Sequence, residues 1–253
     1  MGLYKTYGIV LGHRDLGEAD KILTIFSPNH GKLHAVAKGV RRPRNRLIGG
    51  TQLFSFSDFL IMKGRNLDVI SQCELKESFH EIRSNLERMA YGSFFAEMIR
   101  ATTPIEEKNS ELFRFFLKTL YVLTNWTCYE TLSRIFEIKL MAIQGFTPQI
   151  SQCAACGSKL TDEIKFSPAL GGVICKKCFD KDREAVIIDK NTLYTMHIML
   201  KKTYEALANL NISCKINTQL KKSLHLFIQN QLDYKFKTLK FIEDINKLKV
   251  KEK

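Results

Sequence analysis

The sequence predicts an α+β chain: a small antiparallel β-barrel at the start, followed by an α-helical domain that carries an inserted four-cysteine module. Three observations support this. Short β-prone runs separated by turn signals fill residues 4–78, and apolar residues recur at three- and four-residue spacing from Glu81 onward. Cys153-Ala-Ala-Cys156 is followed, after a gap of eighteen residues, by Cys175-Lys-Lys-Cys178. The expected division is residues 1–80 for the barrel and 81–253 for the helical domain, interrupted by the cysteine module over 151–180.

The strands follow from alternation and punctuation. Tyr4–Leu11 is β-prone, Lys21–Phe26 alternates through Ile22, Thr24 and Phe26, and Lys32–Val40 places Leu33, Ala35 and Ala37 on one face. Asp15-Leu-Gly17 and Ser27-Pro28-Asn29-His30-Gly31 are turn signals between them. Two further strands, Gln52–Met62 and Leu67–Lys76, flank the turn Lys63-Gly64-Arg65-Asn66. Five strands in so short a span suit the OB barrel, a nucleic-acid-binding fold, while an SH3-like barrel has the same periodicity.

Between the third and fourth strands, Lys38, Arg41, Arg42, Arg44 and Arg46 fall within nine positions that hold no acid. Pro43 and the Gly49-Gly50 pair discourage a helix, so a mobile or semi-ordered arm is expected here. A charge run is usually a solvated face. Arginine density on a barrel rim points further, because the planar guanidinium suits phosphate and stacks on bases without reading sequence.

The helical half is read from apolar stripes. Ile82, Leu86, Met89, Phe94 and Met98 mark a first helix, and Leu112, Phe113, Phe116, Leu120 and Leu123 a second that Ser110 can cap. Leu132, Ile135, Phe136, Leu140 and Ile143 mark a third that stops at Gly145. Helices resume at about 191–210, 218–232 and 237–248, and the tail 247–253 is charged and expected to fray. Trp126 reads as a packing residue rather than a base platform, and His197 and His225 as packing or surface residues rather than metal ligands.

The cysteine spacing is that of a structural zinc site. Two Cys-x-x-Cys knuckles complete a tetrahedron of thiolates, Gly157 supplies the positive φ that often follows a knuckle, and Gly171-Gly172 turns a hairpin. Cys153, Cys156, Cys175 and Cys178 are the expected ligands of one zinc ion, leaving Cys73, Cys128 and Cys214 as ordinary thiols. Four protein sulfurs leave no open position for water, so the metal is a staple rather than a catalyst. Phosphate-binding Gly-x-x-x-x-Gly-Lys-Ser/Thr, His-Glu-x-x-His and Gly-x-Ser-x-Gly are all missing, which favours a binding protein over an enzyme.

A formal charge of +13 suits a nucleic-acid partner, and no apolar run suits a bilayer, so a cytoplasmic protein without membrane association is expected. The 13 lysines and no arginine in residues 190–253 show that the two cations are distributed differently. The runner-up reading is a zinc-ribbon transcription or RNA-binding factor, in which Lys159, Lys165, Lys176 and Lys177 touch nucleic acid beside the metal.

In this order of parts the chain resembles the RecO family of bacterial recombination mediators. Gly8-Ile-Val-Leu11 leading into Arg14-Asp-Leu-Gly17-Glu18-Ala-Asp20-Lys21-Ile-Leu-Thr24-Ile-Phe26 is similar to the family's first hairpin, and Pro28-Asn-His-Gly31-Lys32 to its turn. Residues 37–47 are similar to its basic loop, although Asn45 stands where a small hydroxyl residue is common. Phe166-Ser167-Pro168 through Gly171-Gly172 to Cys175-x-x-Cys178 also matches, and Leu239-Lys-Phe241 more weakly. Some members lack the cysteines. The resemblance implies an OB barrel that binds single- and double-stranded DNA and anneals complementary strands. It also implies that, with RecR, such a protein helps RecA displace single-strand-binding protein, whose acidic C-terminal tail the helical domain contacts; RecA and RecF are indirect partners. Localisation with the nucleoid follows from the same likeness. Carried onto this sequence, the DNA-contacting positions are Arg14 and Lys21 in the hairpin and Lys38, Arg41, Arg42, Arg44 and Arg46 in the loop.

Overall fold

The computed structural model describes residues 2–251, so the end of the tail read over 247–253 lies outside the described residues. Contacts group Met1–Asn125 with Phe236–Lys253 into one compact unit and Trp126–Lys235 into a second.

In the first unit, β1 (Leu3–Leu16), β2 (Asp20–Ser27), β3 (Gly31–Ala37), β4 (Phe56–Met62) and β5 (Asp68–Glu77) close a barrel in the order β1-β2-β3-β5-β4. β4 returns antiparallel to β1 from Leu3↔Met62 to Ile9↔Phe56, while β3 meets β5 in parallel at Ala35↔Asp68. That Greek-key closure selects the OB barrel over the SH3-like alternative. Val10, Leu23, Ile25, Leu33, Ala35, Ala37, Phe59, Ile61 and Ile70 fill the interior.

The β2 face differs from its sequence reading. Leu23 and Ile25 point inward, and Phe26, on the opposite face, is also buried, with its ring 5.6 Å from that of Phe113. Helices cover part of the barrel's outside, so a strand apolar on both faces shows no usable alternation.

The first helical stripe splits into α1 (His80–Arg83) and α2 (Leu86–Thr102). Asn85 is extended and its side chain accepts from Arg88 N, which starts a new helix. In α3 (Ser110–Asn125) the cap is Asn109, accepting from Leu112 N at 2.9 Å, while Ser110 Oγ instead reaches Pro28 O.

The second unit holds α4 (Tyr129–Ile143), β6 (Ile164–Ser167), β7 (Gly172–Cys175), β8 (Val186–Ile188), α5 (Lys190–Lys201), α6 (Tyr204–Leu207) and α7 (Cys214–Leu232). Its sheet runs β7-β6-β8. The single helix expected over 191–210 breaks at extended Lys202, and Thr203 caps α6. Trp126 is buried with its ring edge-on to Tyr204, a packing role. Between α4 and α7, Arg134 Nη2 lies 2.8 Å from the fully buried Glu137 Oε1, which also accepts from Ser133. Burial works to raise the Glu137 carboxyl, but Arg134, then His225 and Ser133, hold it below its ordinary value. His225 is thereby engaged in packing chemistry, 3.1 Å from Arg134 Nη1.

The last helix, α8 (Lys237–Lys251), belongs to the first unit. Glu97 of α2, 2 % exposed, accepts from Lys237 N, Thr238 N and Thr238 Oγ1 at 3.1, 2.9 and 2.6 Å. A carboxylate on the free amides of a helix start joins hydrogen bonding to the helix dipole, and each such charged bond contributes about 1.5–3 kcal/mol. Phe236 packs edge-on against Phe94 beside it.

Candidate nucleic-acid interface and four-cysteine site

The basic loop, expected as a mobile or semi-ordered arm, runs as a series of hydrogen-bonded turns. Gly39 takes φ +64° and donates its N–H to Asp20 Oδ1 at 2.7 Å. Arg41 N donates to Ala19 O at 3.0 Å, and successive turns follow from Arg42 N to Gly39 O, Asn45 N to Arg42 O and Ile48 N to Asn45 O. Asn45 is the organiser: its Nδ2 donates to Lys38 O at 3.0 Å and its Oδ1 accepts from Leu47 N at 2.8 Å. Leu47 and Ile48 then anchor the loop against the barrel core. A sequence window shows Pro43 and the charges but not the carboxylate that a different strand supplies.

This order fixes where the cations stand. Arg41 Nη1 donates to Gly17 O at 3.0 Å and lies 3.4 Å from Asp15, so the loop is pinned to the β1–β2 hairpin that bears Arg14 and Lys21. The seven expected positions are therefore gathered around one end of the barrel. Lys38, Arg42, Arg44, Arg46 and Arg14 are exposed and form no ion pair among the described residues. Lys21 is the exception in exposure, half-buried with Nζ 3.0 Å from His13 Nε2. Burial, and then the Lys21 charge, hold the His13 imidazole below its ordinary value, so its lone pair is available to that ammonium. Arg44 has φ +67°, a left-handed conformation that costs a non-glycine residue about 1–2 kcal/mol.

Sequence reasoning missed Asp20 and Asn45 as loop determinants. Asn45→Ala removes both side-chain bonds and is expected to lower stability by about 1–2 kcal/mol and to weaken single-strand DNA binding several-fold. Thermal melting and a binding titration check this; unchanged affinity would show that loop order is dispensable.

The cysteine module is assembled from two short segments. Gly157 takes φ +70° and donates to Cys153 O, and Cys153 N donates to Ser158 O, closing the first knuckle. Ala154 N donates to Val173 O, which ties that knuckle to β7; β7 ends at Cys175, and a 3-10 turn over Lys176–Lys181 presents Cys178. Gly171 at φ +65° makes the hairpin turn, and Gly172 is bare because a Cβ there would meet Gln149 O at 2.4 Å.

All four sulfurs lie within 4.8 Å of one another, with Cys156 and Cys175 at 3.8 Å. Ser158 Oγ lies 3.1 Å from Cys156 Sγ and, with other hydrogen bonds, pulls that thiol down to about 6. It also lowers Cys175, whereas burial pushes Cys178 up to about 12. Four thiolates this close are stable together only around a cation, and the donor set could hold one metal ion. His197 Nε2 instead lies 3.2 Å from Ile150 O, apart from the sulfur cluster. No helix of the described residues is long and apolar enough to cross a membrane.

A five-stranded OB barrel with a cation-lined loop, joined in one chain to a helical unit that bears a four-thiol knuckle, defines the class of protein. Residues 1–79 match the family model described as Recombination protein O N terminal, and residues 83–240 that described as Recombination protein O C terminal. The chain is 34% identical over 251 residues to the DNA repair protein RecO of Acetivibrio thermocellus, covering 98% of this chain and 100% of that one. The protein of the same name from Pelotomaculum thermopropionicum is 36% identical, covering 96% and 94%, and that from Alkaliphilus metalliredigens 35% identical, covering 91% and 94%. The chain belongs to the RecO family.

Proposed function

We propose that this chain is a non-enzymatic DNA-binding recombination mediator. It anneals complementary single strands and, with RecR, helps load RecA on DNA coated by single-strand-binding protein. The observation that carries the reading is the ordered loop on an OB barrel, whose cations Lys38, Arg42, Arg44 and Arg46 form no ion pair among the described residues. Guanidinium groups on that rim neutralise phosphates of both strands, which lowers their mutual repulsion while leaving base edges free to pair. In this reading residues 1–80 bind DNA, and 81–253 receive partners, including RecR and the acidic tail of single-strand-binding protein, with RecA and RecF reached indirectly.

The metal is assigned as one structural zinc held by Cys153, Cys156, Cys175 and Cys178. Zinc–sulfur bonds of about 2.3 Å in a tetrahedron place sulfurs about 3.8 Å apart. The Cys156–Cys175 separation of 3.8 Å suits that arrangement. When bound, zinc closes the knuckle and supplies folding energy without opening a coordination site. A zinc ribbon that itself reads nucleic acid is less favoured, because Lys176 pairs with Glu163 at 2.7 Å and Lys165 lies over the Phe179 ring.

The test is annealing of complementary strands coated with single-strand-binding protein, run without nucleotide. Duplex formation well above the protein-free rate is expected. A requirement for ATP, or no acceleration, would overturn the mediator reading.

A further inference from the structure

Two buried phenylalanines take a left-handed backbone: Phe54 has φ +69° and Phe79 φ +46°. That conformation is costly for any residue with a Cβ and persists only where the surrounding structure enforces it. Here each turn seats a ring against a helix. Phe54 lies against Gly92 of α2, where an added Cβ would come within 3.0 Å of Phe54 Cζ. Phe79 meets Tyr121 of α3 edge-on, with ring centroids 4.9 Å apart. One side chain joins the two turns. Arg83, the last residue of α1, is half-buried and donates from Nη1 to Leu53 O at 2.9 Å and also to Ser78 O. Leu53 and Ser78 immediately precede the two left-handed residues, so a single guanidinium nitrogen fastens both turns. Phe54 is also held by β1, its N–H donating to Val10 O at 2.8 Å while Val10 N donates to Ser55 O at 3.1 Å.

The stretch that Arg83 fastens is the far leg of the basic loop. Thr51 Oγ1 donates to Leu47 O at 2.7 Å, Gln52 Nε2 to Ile48 O at 3.1 Å, Ser55 Oγ to Gly49 O at 3.1 Å and Ser57 Oγ to Gly50 O at 3.1 Å. Successive carbonyls after Arg46 are thus held by side chains of residues 51–57, and Leu53-Phe54 lies in the middle of that stretch. The near leg has its own anchor, Asp20 on Gly39 N.

We infer that Arg83 is a positioning residue for the basic loop: its clamp on Leu53 O and Ser78 O sets where the far leg presents Arg44 and Arg46. Its donors are turned inward onto backbone carbonyls, so it acts through the loop and not on a phosphate. The inference rests on the proposed DNA-binding function of that loop. A role confined to packing α1 on the barrel would cost stability alone, whereas a positioning role also lowers the number of phosphates the loop engages.

The test compares full-length Arg83→Met, which keeps an apolar stem and removes the donors, with Arg83→Lys, whose ammonium can still donate to two carbonyls. Ser55→Ala is the milder companion, cutting the tie to Gly49 O with Arg83 in place. A protein with Arg41, Arg42, Arg44 and Arg46 all changed to alanine is the control. Binding to a labelled thymidine oligonucleotide is titrated across salt concentrations, at a temperature where melting curves show each protein folded. Arg83→Met is expected to weaken binding about three- to tenfold and to reduce the log–log salt slope by about 0.7 to 1.4, the share of one or two phosphate contacts, although every loop cation is still present. Arg83→Lys should recover most of both, and Ser55→Ala should lower both. Amide exchange in Arg83→Met should quicken at Ile48 and Thr51 but not at Gly39, which Asp20 holds. If Arg83→Met melts earlier yet keeps wild-type affinity and slope while the quadruple variant loses both, the positioning role is overturned and the loop reading stands. If neither changes binding, both fail. Should Arg83→Met not fold, Ser55→Ala decides, and wild-type affinity and slope in that variant overturn the inference.

Discussion

Replacing Arg41, Arg42, Arg44 and Arg46 together with alanine is expected to remove most of the salt-sensitive binding to single-stranded DNA. If Lys38 and the four arginines each displace one condensed counterion, the loop contributes a slope near about −3.5 in log affinity against log salt. Between 50 and 200 mM salt that is about a hundredfold loss of affinity, whereas a loop retaining only Lys38 would lose about threefold. The effect should be uniform across sequences, since phosphate contacts carry no base information. Folding should be little changed. The loop's turns are main-chain bonds fastened by Asp20 and Asn45, and the exposed Arg41–Asp15 pair contributes at most about 1 kcal/mol. Fluorescence anisotropy at several salt concentrations reads the slope directly. A quadruple variant with the wild-type slope would move the DNA contacts off this loop.

Removing the zinc proposed at Cys153, Cys156, Cys175 and Cys178 should have the larger effect on stability. Apparent zinc-binding energies of about 10–16 kcal/mol in small fingers are folding energy, and part of that is at stake in the unit spanning Trp126–Lys235. Chelation, or Cys175→Ser, is therefore expected to lower the melting temperature of this unit by tens of degrees, since about 1 kcal/mol moves a domain of its size by several degrees. The barrel shares none of the four ligands, so it should melt separately and keep its intrinsic affinity for DNA. Metal analysis of reduced, freshly purified protein should find one zinc per chain. Finding none would overturn the assignment, and a single unshifted melting transition after chelation would deny the metal a structural role.

Much of the frame was legible because its signals are local. A strand with one buried face alternates, and Leu33, Ala35 and Ala37 do lie together in the barrel interior. A knuckle needs two thiols at fixed spacing and a residue of positive φ, and the sequence shows Cys153, Cys156 and Gly157 directly. Helix breaks were less legible. Asn85 and Thr203 are polar residues inside otherwise apolar periods, and whether such a side chain caps a new helix depends on the extended backbone it adopts.

By itself the sequence determined the barrel-then-helices order, the four-thiol module and the concentration of arginine between the third and fourth strands, since each depends on residues close together in the chain. Only the tertiary structure decided the OB closure, because the β3–β5 and β4–β1 pairings join distant segments without a sequence signature. It also decided that the basic loop is ordered, through Asp20 on another strand, and that α8 caps onto the buried Glu97 of α2. Both contacts join segments far apart in the chain, so no window of sequence contains them.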